Sequence, residues 1–208
     1  MPASGQAGAV SLQVDTFNLQ SAVTDLVLVR HLADSLALDS TTIARYRINF
    51  MNSKGLQKEF ALAIPYYLER GFWSVSNEVF VDSMAGIDRR FVILTNGFEA
   101  CGYPQNSLLF FADDRVELVD QWVSYSDGGL GVWRELFAVF NGNQVIEFRH
   151  RTVSSEAIES PGHEALIEVT YRDSAIVKEK GKKWIGEAVT LPNVRYRTDI
   201  LTTDEYYQ

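Results

Sequence analysis

The stretch from Val132 to Val153 reads VWRELFAVFNGNQVIEFRHRTV and predicts a β-hairpin. Two runs of strand-like residues flank Asn141-Gly142, a dipeptide typical of two-residue hairpin turns. In an extended chain, successive side chains point to opposite faces of the sheet. His150 therefore falls on the same face as the apolar Phe148, and a histidine in that position is a candidate site residue.

The same pattern runs through residues 71–201. Strand-like runs such as FVILTN, NSLLFFAD and EALIEVTYR are separated by turns such as YSDGGLG. Short turns make sequence neighbours pair in antiparallel fashion. Closing the sheet on itself is the simplest way to remove an exposed edge. We therefore predict an antiparallel up-and-down meander that is closed into a barrel or forms a strongly curved sheet.

The N-terminal part predicts a mixture of elements. From Asn18, a candidate N-cap, apolar residues recur at helical spacing and predict a helix over 19–37. Residues 43–50 alternate as a strand, and the turn NSKG follows. We favour a helix over 56–69, with a second strand as the open alternative. The predicted fold class is therefore α+β, mainly β, with an N-terminal helix.

The length predicts how the chain is organised. A chain of 208 residues with 46% hydrophobic residues is the usual size of one domain, so we expect a single domain over 1–208. Residues 1–10 are small and polar, which is typical of a mobile tail. Residues 18–70 are the helical or mixed part, and residues 71–201 are the β meander.

Charge and composition exclude several classes of protein. Nineteen Lys and Arg against 27 Asp and Glu give a formal charge of -8, so no nucleic-acid partner is expected. The single cysteine, Cys101, excludes an internal disulfide framework and favours a reducing, cytoplasmic location. Neither a signal peptide nor a membrane span is expected. The three histidines lack metal-ligand spacing and no glycine pattern fits a phosphate loop, so we predict no metal and no other cofactor.

Strand register gathers polar residues on the apolar face of the predicted hairpins. If Asn141-Gly142 is the turn, Trp133 lies opposite His150. A four-residue loop before the hairpin extends this face to a third strand. The predicted catalytic residues are His150, Glu135 and Asp120, and the predicted ligand-binding residues are Trp122, Trp133, Phe137 and Phe148.

Two carboxylates beside one imidazole on an apolar wall could exchange protons with a bound molecule. The alternative is structural, because buried carboxylates often accept hydrogen bonds from indole or backbone donors, and core histidines are usually hydrogen-bonded. Cys101 would be a nucleophile only if a base such as His150 approached it.

The opposite face of these strands mixes charged and apolar residues. A fully solvated face would be more polar, so we expect four of its apolar residues to be covered by the N-terminal helix or by a second copy of the chain. These four residues are Val119, Val123, Val132 and Leu136. A homo-oligomer or a protein partner is therefore expected.

Gly71-Phe72-Trp73 precedes the meander and resembles the Gly-x-Trp signature that opens the barrel of lipocalins and other calycins. The resemblance covers the layout of residues 71–201. The sequence departs from the family in having no recognisable second signature. It implies that Trp73 closes the floor of a barrel whose interior holds a small apolar molecule. Cytosolic, disulfide-free calycins include bilin lyases, which are similar in lacking a signal peptide.

Three functions follow as hypotheses. The leading one is a barrel that binds a small apolar or aromatic molecule and that carries out isomerisation, cyclisation or a lyase step by proton transfer. The second is a non-enzymatic interaction or assembly protein with a side-chain-filled barrel. The third is an enzyme resembling the nuclear-transport-factor-like cone, whose helices precede a curved sheet.

Overall fold

A computed structural model shows a chain that is nearly all β. The chain forms two compact units, which divide between residues 66 and 71. A single domain over 1–208 stays a prediction. Among the described residues the only helix, α1 (Thr203–Tyr206), has four residues, so no helix there is long and apolar enough to cross a membrane. The structure describes residues 13–19, 24–37, 41–66, 71–76, 78–81, 84–97, 103–127, 130–158, 166–188 and 196–206.

The first unit is a four-stranded antiparallel sheet in which the strands pair in sequence order. Alternate residues along its strands are buried, for example Val27 and Val29, and Ile48 and Phe50. The turn between the third and fourth strands ends at Gly55, whose φ of 109° favours glycine. Its strands are β1 (Val14–Asn18), β2 (Leu26–Leu36), β3 (Thr42–Asn52) and β4 (Gly55–Tyr66).

The two predicted helices are wrong. The segment 19–37 contains β2, because its Leu and Val residues satisfy the strand period as well as the helical one and β3 supplies the backbone partners. The segment 56–69 contains β4, where Pro65 is tolerated near the end of a strand at the sheet edge. The second-strand alternative is therefore correct, and the strand predicted over 43–50 is confirmed within β3. The predicted tail over 1–10 lies outside the described residues.

The second unit is an eleven-stranded sheet, and the predicted meander accounts for most of it. Strands β8 to β14 pair successively in antiparallel fashion, β5 pairs with β8, and β15 returns to pair with β13. The strands are β5 (Phe72–Ser76), β6 (Glu78–Val81), β7 (Met84–Ile87), β8 (Phe91–Gly97), β9 (Tyr103–Ala112), β10 (Val116–Asp127), β11 (Leu130–Asn141), β12 (Gln144–Ile158), β13 (Leu166–Lys180), β14 (Lys183–Ala188) and β15 (Tyr196–Thr202).

The sheet does not close into a barrel, so that part of the predicted fold class is wrong. β10 and β11 pair at only three positions, from Tyr125 opposite Val132 to Asp127 opposite Leu130. Further along, β11 pairs with β6 in parallel at one position. The start of β10 approaches β13 and β14 through side-chain hydrogen bonds instead of a backbone ladder. Glu117 of β10 accepts a hydrogen bond from the backbone N–H of Trp184 on β14 at 3.1 Å. Arg115, which precedes β10, donates to Glu179 of β13 at 2.8 Å.

An aromatic core joins the strands of this unit. Phe91 of β8 has three aromatic neighbours in edge-on geometry: Phe148 at 4.8 Å, Trp184 at 5.2 Å and Phe111 at 5.3 Å between ring centroids. Such pairs add about 0.5–1.5 kcal/mol each beyond the area they bury. Burial of these large side chains is the main force that holds β8–β9 against β12–β14.

A buried ion pair fixes the chain before β8. Asp88 is 4% exposed and accepts hydrogen bonds from Arg90 at 2.6 Å and from the backbone N–H of Val145 at 2.8 Å. Burial alone would raise the pKa of Asp88, but these hydrogen bonds and the positive charge of Arg90 outweigh it and hold the pKa below its ordinary value. The pair therefore ties the start of β8 to β12.

Gly71 lies where two backbone segments approach each other closely. A Cβ atom on Gly71 would lie 2.6 Å from the backbone of Gly97, closer than packed atoms allow. Asn96 donates its side-chain N–H to the carbonyl of Gly71 at 2.9 Å. The two backbones therefore meet directly, and Trp73 is buried on β5.

Candidate functional site

His150 is buried inside the second unit. It lies on β12, opposite Leu136 of β11, and only 1% of its surface is exposed. A register shift with β13 follows immediately after it. Its neighbour along the same face is Phe148, a fully buried core residue. The strand alternation thus places an imidazole at the border of the aromatic core.

Asp120 of β10 meets this imidazole. Its Oδ2 lies 2.9 Å from Nε2 of His150. Val119 is an extra residue in the pairing of β10 with β9, so Asp120 lies opposite Leu109. Bulges of this kind re-aim side chains and are common beside active sites. Here the bulge sits immediately before the carboxylate that approaches His150.

The geometry of the pair is unusual in two respects. Nε2 and Oδ2 are close together, but their geometry does not make an aligned hydrogen bond. Nδ1 of His150 has no hydrogen-bond partner among the described residues. Asp120 is nevertheless 22% exposed in its side chain. Because Oδ2 is buried, Oδ1 is the carboxylate oxygen left on the exposed side. The pair is thus a buried imidazole behind a carboxylate that can be reached from outside.

Trp122 completes the cluster. Its ring meets that of His150 edge-on at 6.0 Å between centroids. It lies opposite Ser107 of β9, whose hydroxyl is 3.3 Å from that of Thr95 on β8. The core therefore changes from aromatic to polar at this end. Sequence analysis missed Ser107 and Thr95, although two hydroxyl residues within otherwise apolar strands were a usable signal.

Glu135 is not part of the cluster. It pairs with Arg151 across β11 and β12, its carboxylate lies 3.8 Å from the guanidinium, and it is 36% exposed. Arg151 also lies over the ring of Phe137 at 4.8 Å. Trp133 packs beside Val153 in a separate, smaller core. These three predicted site residues are therefore on the face away from His150.

The register explains why these residues lie on the other face. The turn residues are Gly142 and Asn143, one position later than predicted, and Ile146 is an extra residue in β12. His150 consequently pairs with Leu136 instead of Trp133, a displacement of three positions along β11. An odd displacement exchanges the two faces of a strand. Leu136 and Ala138 are therefore the buried β11 residues next to the cluster.

The remaining predicted residues divide between core and surface. Phe148 is packed in the aromatic core. Of the four residues predicted to need cover, Leu136 is buried and Val119 packs against the core, whereas Val123 is 54% and Val132 is 45% exposed. No helix in the described part of the chain covers them.

Cys101 lies outside the described residues. Within the described ranges no group of three or more His, Cys, Asp or Glu side chains could hold a metal ion.

The fold and cluster define an antiparallel β protein with a buried histidine behind an accessible aspartate. Comparisons with protein-family models, with curated proteins and with solved structures find no match for this chain.

Proposed function

We propose that the second unit binds a small apolar or aromatic molecule beside Trp122 and exchanges a proton with it through Asp120. The observation that carries this proposal is the 2.9 Å approach of a fully buried imidazole to a carboxylate whose outer oxygen reaches solvent. The proposed ligand class is the one that the lipocalin-like Gly71-Phe72-Trp73 stretch implies, and it does not require a closed barrel.

The misaligned pair supports a functional role. A buried polar group without an aligned hydrogen bond costs about 1–3 kcal/mol, so such groups call for an explanation. Hydrogen bonds between catalytic groups are often poorly aligned without substrate and tighten in the complex. The two unaligned ring nitrogens of His150 beside Asp120 fit that description.

The accessible surface assigns a role to each residue. His150 has almost no exposed surface, so a ligand would meet Asp120, and His150 acts through it as a positioning residue. In the proposed step, an O–H or C–H bond of the ligand breaks, its electron pair stays on the ligand, and the proton moves to Oδ1. Return of that proton to a different ligand atom gives an isomerisation, which needs no cofactor.

Nuclear magnetic resonance tests the binding part of this proposal. The indole N–H signal of Trp122 is assigned from the spectrum of Trp122→Phe, and the full chain is titrated with indole and with 2-naphthol. We expect the Trp122 signal to shift with saturation while the signal of Trp133 stays unchanged, because Trp133 lies in the other core. Equal responses of all four tryptophans, or none, would contradict a site at Trp122.

A second candidate function, protein association, is favoured by one observation. Tyr125 and Val132 are paired neighbours on β10 and β11, and together with Val123 they expose apolar surface. Exposed apolar patches often mark protein contacts, and self-association is the proposed use. A double variant, Val123→Ser with Val132→Ser, should lower the mass measured by light scattering; a wild-type monomer at all concentrations would contradict self-association.

A further inference from the structure

We infer that the ligand of this site is an uncharged planar molecule that donates a hydrogen bond, such as a phenol or enol, to Oδ1 of Asp120. This inference rests on the proposed function and names its substrate class. It follows from which polar atom can be reached, from the charge around that atom and from the neighbouring side chains.

The reachable atom determines the hydrogen-bond role. Oδ2 of Asp120 and both ring nitrogens of His150 have no accessible surface, which leaves Oδ1 as the polar atom of the pair that a ligand can reach. An ionised carboxylate only accepts hydrogen bonds. A ligand held by this atom must therefore bring the donor, and the donated proton is the one that the proposed step transfers.

The charge around Asp120 disfavours an anionic ligand. Within the described residues no lysine or arginine forms an ion pair with Asp120; its one ionisable partner is His150. An anion would also approach a chain with a formal charge of -8. A carboxylate or phosphate ligand would thus meet repulsion from Asp120 without a compensating cation.

The apolar neighbours favour an uncharged ligand over a cation. Asp120 lies opposite the fully buried Leu109, and the same core cluster contains Trp122, Leu136 and Ala138. A full charge moved against such surface loses its hydration, whereas a flat aromatic ring gains from burial. A phenol or enol can bury its flat apolar part against these neighbours and donate its O–H to the single acceptor.

Three matched probes test this inference: 2-naphthol, which donates; 2-methoxynaphthalene, whose methyl ether does not; and 2-naphthoate, an anion. Dissociation constants are measured on the full chain by following the Trp122 indole signal. We expect 2-naphthol to bind about tenfold or more tightly than the methyl ether, the difference that a hydrogen bond to a charged acceptor supplies. The naphthoate should bind most weakly.

Variants show which carboxylate is responsible. Asp120→Asn should reduce the preference for 2-naphthol over the ether, and Glu135→Gln, a matched change on the other face, should leave it unchanged. Equal affinities for 2-naphthol and the ether, both with Trp122 shifts, would overturn the donor requirement while leaving the binding site intact. Failure of every probe to shift Trp122 would overturn the proposed function itself. The probe comparison uses the wild-type chain and does not depend on the folding of any variant.

Discussion

Nε2 of His150 lies 2.9 Å from Oδ2 of Asp120, although the two residues belong to strands separated by β11. The contact places a buried imidazole behind a carboxylate whose second oxygen reaches solvent. Two effects bring these side chains together: the alternation of β12 turns His150 inward, and Asp120 follows the bulge at Val119. The pair therefore depends on both local pattern and an irregularity in the sheet.

Replacing His150 should destabilise the second unit. His150→Ala removes a fully buried ring and leaves a gap beside Trp122, so we expect a loss of about 1–3 kcal/mol in the free energy of unfolding. Urea denaturation measures it. Arg149→Ala, next along β12 with 62% of its side chain exposed, is the control and should change stability by less than about 1 kcal/mol. Similar losses in both variants would mean that His150 is not packed as described.

Asp88 should contribute stability that depends on pH. Its pKa is lowered in the folded protein, so its contribution is complete above its ordinary value of 3.8 and is lost as pH falls through the lower folded value. Asp88→Asn should cost about 1–3 kcal/mol at pH 7, and the difference from wild type should shrink towards pH 3. Denaturation at a series of pH values tests this, and a difference that grows in acid would contradict it.

The contact between Gly71 and Gly97 should be intolerant of a methyl group. Gly71→Ala places Cβ 2.6 Å from backbone atoms that cannot rotate away, so a loss of about 1–3 kcal/mol is expected. Gly186→Ala is the control, since its nearest neighbour there is a Val177 methyl at 3.8 Å. In thermal denaturation, Gly71→Ala should have a clearly lower melting temperature than Gly186→Ala. Equal melting temperatures would refute the close approach of Gly71 to Gly97.

Phe148 should act as a core residue, not as a ligand contact. Phe148→Ala is expected to lower the free energy of unfolding by about 3–5 kcal/mol, because it removes a ring that contacts Phe91 and Trp184. Phe72→Ala, at a position 70% exposed, is the matched control with an expected change within about 0.5 kcal/mol. A stable Phe148→Ala with weakened 2-naphthol binding would restore Phe148 to the ligand site.

Local alternation was enough to predict most strands of the second unit and the inward side of His150, but not β7 or the division between β5 and β6. It was not enough for the first unit. In 19–37 the apolar residues satisfy both helical and strand periods, and only pairing with β3 decides between them. The sequence predicts the strand over 43–50, but the residues of 19–37 do not show that they pair with it.

Strand register was the other feature that could not be predicted from the sequence. The bulge residue Ile146 and the late turn at Gly142 each move the pairing of β11 with β12, and together they exchange the faces of Glu135 and Leu136. Nothing in the alternation of VIEFRHRTV marks Ile146 as the extra residue. Asp120 was assigned to the cluster face, and the structure brings it there beside the bulge at Val119.

Ring opening of 5-nitrobenzisoxazole shows whether Asp120 removes a proton from a bound molecule. In this probe a base removes the ring C–H proton, the N–O bond breaks, and a coloured cyanophenolate forms, so one absorbance trace reports the proton transfer. We predict that the full chain accelerates the reaction and that Asp120→Asn lowers the rate by about a hundredfold or more, the usual contribution of a general base. Glu135→Gln should leave the rate unchanged. Equal rates for wild type and Asp120→Asn would mean that Asp120 is not the base.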